Sequence, residues 1–123
     1  MEIIIGKYSG FCSGVKRAVQ KAEEIGKDGV YTIGEIIHNP SVIERIAKTG
    51  VKVSESADDV PSGATVIIRS HGVAKEVYEK LAQKNVTVVD CTCPFVKKIH
   101  SIVEEYSKNG YAIIIVGESN HPE

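Results

Sequence analysis

At 123 residues the chain has room for one compact domain, or one domain and part of another. A net charge of −1 and a pI near 6.4 exclude a basic nucleic-acid surface and a polybasic membrane patch. No apolar run approaches a transmembrane length, and the first residues lack the basic start and long apolar segment of a signal peptide, so the chain is read as cytoplasmic. Three cysteines are an odd count for a reducing compartment. They favour metal ligation or thiol chemistry over a disulfide framework, with plainly packed cysteine as the alternative.

Ile3, Ile4 and Ile5 form an apolar run that predicts a short strand. After a glycine-rich corner carrying Cys12, Val15, Ala18, Val19, Ala22 and Ile25 recur at helical spacing. Residues 30–33 are β-branched and aromatic and predict a strand. The next corner holds His38. Asn39 precedes a proline, and Pro40 suits a first helical turn, so a helix follows with Val42, Ile43, Ile46 and Ala47 inward. A brief strand is expected at 51–53, and a short helical turn around 57–60.

Residues 65–68 are the strongest candidate for a central strand. They run into Arg69, Ser70, His71 and Gly72, and then a helix over 74–84 with Val77, Tyr78, Leu81 and Ala82 inward. A strand at 86–89 leads to Asp90, Cys91, Thr92 and Cys93. Pro94 opens a helix whose stripe is Phe95, Val96, Ile99, Ile102, Val103 and Tyr106. His100 lies in that helix and is read as an ordinary helix residue. A last apolar run at 111–116 predicts a buried strand, followed by His121 and Glu123.

Strand and helix alternate, which predicts an α/β fold: a parallel sheet with helices on both faces. In such a sheet the carboxyl ends of the strands share one edge, where ligands bind. Cys12, His38, His71, Cys93, His121 and Glu123 all follow apolar runs and so are expected at that edge. Singly, a cysteine is more often a small buried hydrophobe and a loop histidine an ordinary surface residue. Their joint placement is what points to function. Histidines and glycine-rich turns suit a phosphate or diphosphate, and thiolates suit a soft metal or an iron–sulfur cluster. The Cys91-Thr92-Cys93 spacing alone is a weak zinc signal.

Five motifs occur in order: Gly10-Phe11-Cys12-Ser13-Gly14-Val15, Gly34-Glu35-Ile36-Ile37-His38-Asn39-Pro40, Arg69-Ser70-His71-Gly72-Val73, Thr92-Cys93-Pro94-Phe95-Val96 and His121-Pro122-Glu123. Together they resemble the LytB-type iron–sulfur reductases that act on 4-hydroxy-3-methylbut-2-enyl diphosphate in the non-mevalonate isoprenoid pathway. The resemblance implies three similar α/β domains around a central pocket. It implies a [4Fe–4S] cluster held by one cysteine from each domain, and reductive removal of the substrate hydroxyl as water to give isopentenyl and dimethylallyl diphosphate. An external donor such as ferredoxin or flavodoxin would supply the electrons. By motif, Cys12 and Cys93 match cluster ligands, His38, His71 and His121 match the residues around the diphosphate, and Glu123 matches the proton-delivering acid.

Cys91 departs from the family pattern, and is either a spare thiol near the cluster or a packed residue. The resemblance divides the chain into a first domain at 1–93, with an N-terminal strand, and the start of a second at 94–123. It also makes the chain an N-terminal fragment, expected to hold no complete cluster and to lack activity alone. Residues 113–116 are then expected to be buried either on the chain's own sheet or against another copy, the second alternative being self-association of the fragment. The alternative reading is a small α/β module that binds zinc or a phosphorylated ligand without catalysis. No nucleic-acid or membrane partner is expected.

Overall fold

The structure is a computed structural model that describes residues 1–117. Nine elements follow one another: α1 (Ser13–Ile25), β1 (Val30–Ile33), α2 (Pro40–Ala47), β2 (Lys52–Ser54), a single 3-10 turn (Ala57–Asp59), β3 (Thr65–Ile68), α3 (Lys75–Ala82), β4 (Thr87–Asp90) and α4 (Pro94–Lys108). The four strands make one wholly parallel sheet in the order β2-β1-β3-β4. This is the expected α/β architecture.

Parallel strands cannot be joined by tight turns, so each connection crosses a face of the sheet. On one face α1 and α2 bury Ala18, Val19, Ala22, Val42 and Ile46 against Val30 and Ile67. On the other, α3 and the 3-10 turn bury Leu81, Ala57 and Val60 against Ile33, Val66 and Ile68. Successive residues of β3 therefore serve opposite cores, and Val66, Ile67 and Ile68 are all 0% exposed. The chain leaves β1 toward β2 but leaves β3 toward β4, in the opposite direction across the sheet. That reversal opens a crevice above the carboxyl ends of β1 and β3.

Local signals hold where they were strong. Asn39 caps α2 by accepting the Val42 N–H at 3.2 Å, with Pro40 in the first turn. The strands expected at 51–53 and 86–89 are each displaced by one residue toward the carboxyl end.

Three expectations fail. Residues 3–5 form no strand, and all three isoleucines are exposed. Residues 111–116 form no strand either, and 113–116 are exposed rather than folded back on the sheet. The reason is geometric. A parallel neighbour for β4 needs a crossover helix lying along the sheet, whereas α4 buries only Val96, and its Phe95, Ile99, Ile102 and Tyr106 face outward. Tyr111 instead turns back on the end of α4, its N–H bonded to Tyr106 O at 3.1 Å and its ring edge-on to Tyr106 at 5.3 Å. Ala47 and Ala82, the last residues of α2 and α3 and both expected inward, are exposed as well.

Ile67→Ala should therefore lower the stability of the chain by about 2–5 kcal/mol, read as a lower denaturant midpoint with an unchanged slope. Ile4→Ala should change it by less than about 0.5 kcal/mol, because Ile4 contributes no buried surface.

Candidate functional site

The Cys93 corner grows directly out of the sheet. Beyond β4 the pairing with the β3 side continues irregularly: Cys91 N–H donates to Ile68 O at 2.9 Å and Cys93 N–H to Ser70 O at 2.8 Å. His71 and Cys93 therefore stand on the same edge. Cys93 then caps α4, with Pro94 in the first turn and its sulfur free of any capping bond.

Cys12 reaches the same edge by another route. No strand precedes it. It caps α1, which runs into β1 through a short turn. A helix that feeds a strand this way starts over the strand's carboxyl end, since its 13 residues span roughly 20 Å, more than the strand's length. A Cβ placed on Gly14 would lie 3.1 Å from both the Cβ and the Sγ of Cys93. The first turn of the helix that Cys12 caps is thus in contact with Cys93. Both thiols are free, Cys12 exposed and Cys93 half-buried.

Cys91 is different. It is 4% exposed and packs in the core under α1. Burial pushes its thiol up, with the Arg17 charge opposing, so sulfur there stays protonated. Of the two roles open for it, the structure supports the packed one. Among the described residues no group of three or more His, Cys, Asp or Glu side chains converges on a metal-sized point.

The two histidines line different hollows. His38 is exposed and lines a hollow with Glu35, Arg69 and Val73, its Nδ1 3.3 Å from Glu35 Oε2. His71 is half-buried and lines a separate groove between α3 and α4 with Tyr78, Lys75 and His100. The two grooves share Val73. From the sequence His100 reads as an ordinary helix residue. It lies against this corner: a Cβ on Gly72 would sit 3.2 Å from His100 Cε1 and 3.1 Å from Thr92 Cγ2. Gly72 has φ +76, so it is both the turn residue and the space that lets α4 approach. The available signal was spacing, since His100 is seven residues past Cys93 and so on its helical face. His121 and Glu123 lie outside the described residues.

A polar chain stiffens the Cys93 corner. Asp90 Oδ1 accepts the Thr92 N–H at 2.9 Å and the Thr92 hydroxyl at 2.5 Å, and Lys97 Nζ lies 2.6 Å from Asp90 Oδ2. Burial raises the Asp90 carboxyl, but the bonds from Lys97 and Thr92 outweigh it and hold the group below its usual range. The Tyr78 hydroxyl reaches Thr92 Oγ1 at 3.4 Å. Burial raises its phenol, and because the Thr92 hydroxyl gives its one proton to Asp90, the Tyr78 hydroxyl is the donor in this pair. Ser70, beside His71, is 2% exposed, and its hydroxyl finds no partner among the described residues.

The LytB protein family model matches residues 3–123. The chain belongs to the LytB family. It is 57% identical over 129 residues to 4-hydroxy-3-methylbut-2-enyl diphosphate reductase of Thermoanaerobacter sp. strain X514, a match that covers all of this chain and 45% of that one. It is 48% identical over 126 residues to the enzyme of the same name from Aquifex aeolicus, covering 43% of it. Among solved structures it is similar to (E)-4-hydroxy-3-methyl-but-2-enyl diphosphate reductase, described as the terminal enzyme of the non-mevalonate pathway. That match has a TM-score of 0.81 and 47% identity, covering 98% of this chain and 43% of the other. It is also similar to the Plasmodium falciparum reductase, with a TM-score of 0.86 and 36% identity over 94% of this chain and 37% of that one. The chain thus spans less than half the length of these LytB relatives. Among the described residues no helix is long and apolar enough to cross a membrane.

Because Asp90 is held low in the folded chain, its stabilising contribution is complete above about pH 3.8 and is lost as pH falls through the lower folded value. Asp58 and Glu104 are shifted in the same direction, so the comparison must be with a variant. Asp90→Asn should cost about 1–2 kcal/mol at neutral pH and flatten the acid limb. Unfolding midpoints followed from about pH 7 to about pH 2 check this.

Proposed function

We propose that this chain is the part of a 4-hydroxy-3-methylbut-2-enyl diphosphate reductase that supplies two cluster thiolates and the first diphosphate-binding histidines. The observation that carries this is the contact of Cys93 with the first turn of the helix that Cys12 caps, on the edge where His71 also stands. Two free thiols at helix N-termini suit two ligands of a [4Fe–4S] cluster, because unpartnered backbone N–H groups there favour anionic sulfur. The third ligand and the rest of the pocket belong to sequence this chain does not include. When bound, such a cluster supplies electrons and a Lewis-acidic iron.

His38 and His71 bind diphosphate oxygens, donating from both ring nitrogens when charged. The amino end of α3 has no side-chain cap and adds unpartnered N–H groups beside His71. By motif, His121 is a third diphosphate contact and Glu123 the proton donor at the substrate hydroxyl. The products are isopentenyl and dimethylallyl diphosphate, and the electron donor is a ferredoxin or flavodoxin. Division at residue 93 belongs to this reading, supported by how little of α4 is buried. So do a cytoplasmic location and, for the chain alone, inactivity, an incomplete cluster and self-association through its exposed apolar segments. The zinc alternative is weakened by Cys91, whose sulfur is committed to the core.

In a complete reductase carrying this chain, Cys12→Ser and Cys93→Ser should each lose cluster iron and turnover. His71→Ala should lower kcat/KM by roughly tenfold or more, the worth of one hydrogen bond to a charged group. Full iron content and wild-type kinetics in these variants would contradict the assignment.

A further inference from the structure

We propose that Gly14 and Arg17 are positioning residues for Cys93, so that one helix sets the placement of both thiolates. The inference rests on the ligand roles given above to Cys12 and Cys93. Gly14 and Arg17 are three residues apart on α1 and so share a face. Arg17 Nη2 donates to Thr92 O at 2.7 Å and to Cys91 O at 3.2 Å, across 75 and 74 residues of chain. Those carbonyls lie just beyond β4, and neither accepts a backbone N–H among the described residues. A single guanidinium nitrogen reaches both, and the planar fork of donors holds the two carbonyls in one geometry.

Gly14 acts by what it lacks. Its buried Cα faces Cys93, and a methyl group there would meet Cβ and Sγ at 3.1 Å. Contacts that tight force the neighbour to shift, and the neighbour here is the sulfur itself. From the opposite side, the Cys93 N–H is fixed on Ser70 O at 2.8 Å. Cys93 is therefore gripped between the continuation of β3 and the first turns of α1. Cys12 caps that same helix, so the spacing of the two sulfurs follows one rigid body.

The test uses the complete reductase with Arg17→Ala, Arg17→Lys, Gly14→Ala and Cys93→Ser, reconstituted anaerobically. Four quantities are read: iron per polypeptide, the rate of chelator-driven bleaching, the EPR signature of the reduced cluster, and the unfolding midpoint of the cluster-free protein. Arg17→Ala should bleach about 10–100-fold faster, as for other residues that orient a metal ligand, and Arg17→Lys should recover part of that. Gly14→Ala should alter the EPR signature and hasten bleaching by more than any change in the cluster-free midpoint explains, because there the better helix propensity of alanine offsets the crowding against Cys93. Should Arg17→Ala fail to fold, Gly14→Ala and Arg17→Lys decide. Wild-type bleaching and EPR in the Arg17 and Gly14 variants, with the cluster lost in Cys93→Ser, overturn the positioning role alone. Faster bleaching in Arg17→Ala matched by an equal loss of cluster-free stability, with Gly14→Ala at wild-type behaviour, makes Arg17 merely structural and also overturns it. A wild-type cluster in Cys93→Ser overturns the ligand assignment and the inference with it.

Discussion

The fold depends on burying β3. Its residues Val66, Ile67 and Ile68 are excluded from water on both faces, so their backbone groups need partners on both sides. β1 and β4 supply those partners in parallel. Parallel pairing forces helical crossovers, and crossovers bring every strand-to-helix corner to one edge. The meeting of the sulfur and histidine corners is a consequence of satisfying that one strand.

Charge acts at short range within this frame. Asp90, Lys97, Thr92 and Tyr78 form one continuous polar chain beside Cys93. Most other ion pairs, such as Lys48 with Glu44, lie on exposed helix faces and contribute little. A second polar cluster lies at the 3-10 turn, where Lys84 donates to the carbonyls of Ala57 and Val60 and Lys80 pairs with Asp58, but the second histidine groove opens beside the Cys93 corner.

The sequence was most readable where two signals agreed. Residues 30–33 combined β-branched residues with flanking glycines, and α2 combined Asn39, Pro40 and a helical apolar stripe. Residues 3–5 and 111–116 carried composition alone, and composition cannot supply a partner strand. Cys91 and His100 could not be sorted by pattern either. Which way a residue faces at an irregular corner is set by the path of the backbone: here the Gly72 turn and the Arg17 bonds across 75 residues. Cys12 reached its expected edge for a reason the pattern did not contain, the direction of α1.

The long span between Arg17 and Thr92 also governs order in time. No hairpin can seed this sheet, and every pairing closes a loop that must be ordered before it is rewarded. During synthesis α1 emerges first, and the Cys93 corner leaves the ribosome some 75 residues later. The two sulfurs are strangers until β1, β3 and β4 have joined. The ligand roles proposed for this pair would make iron loading a late event in the life of the chain, one that reports on a sheet already built.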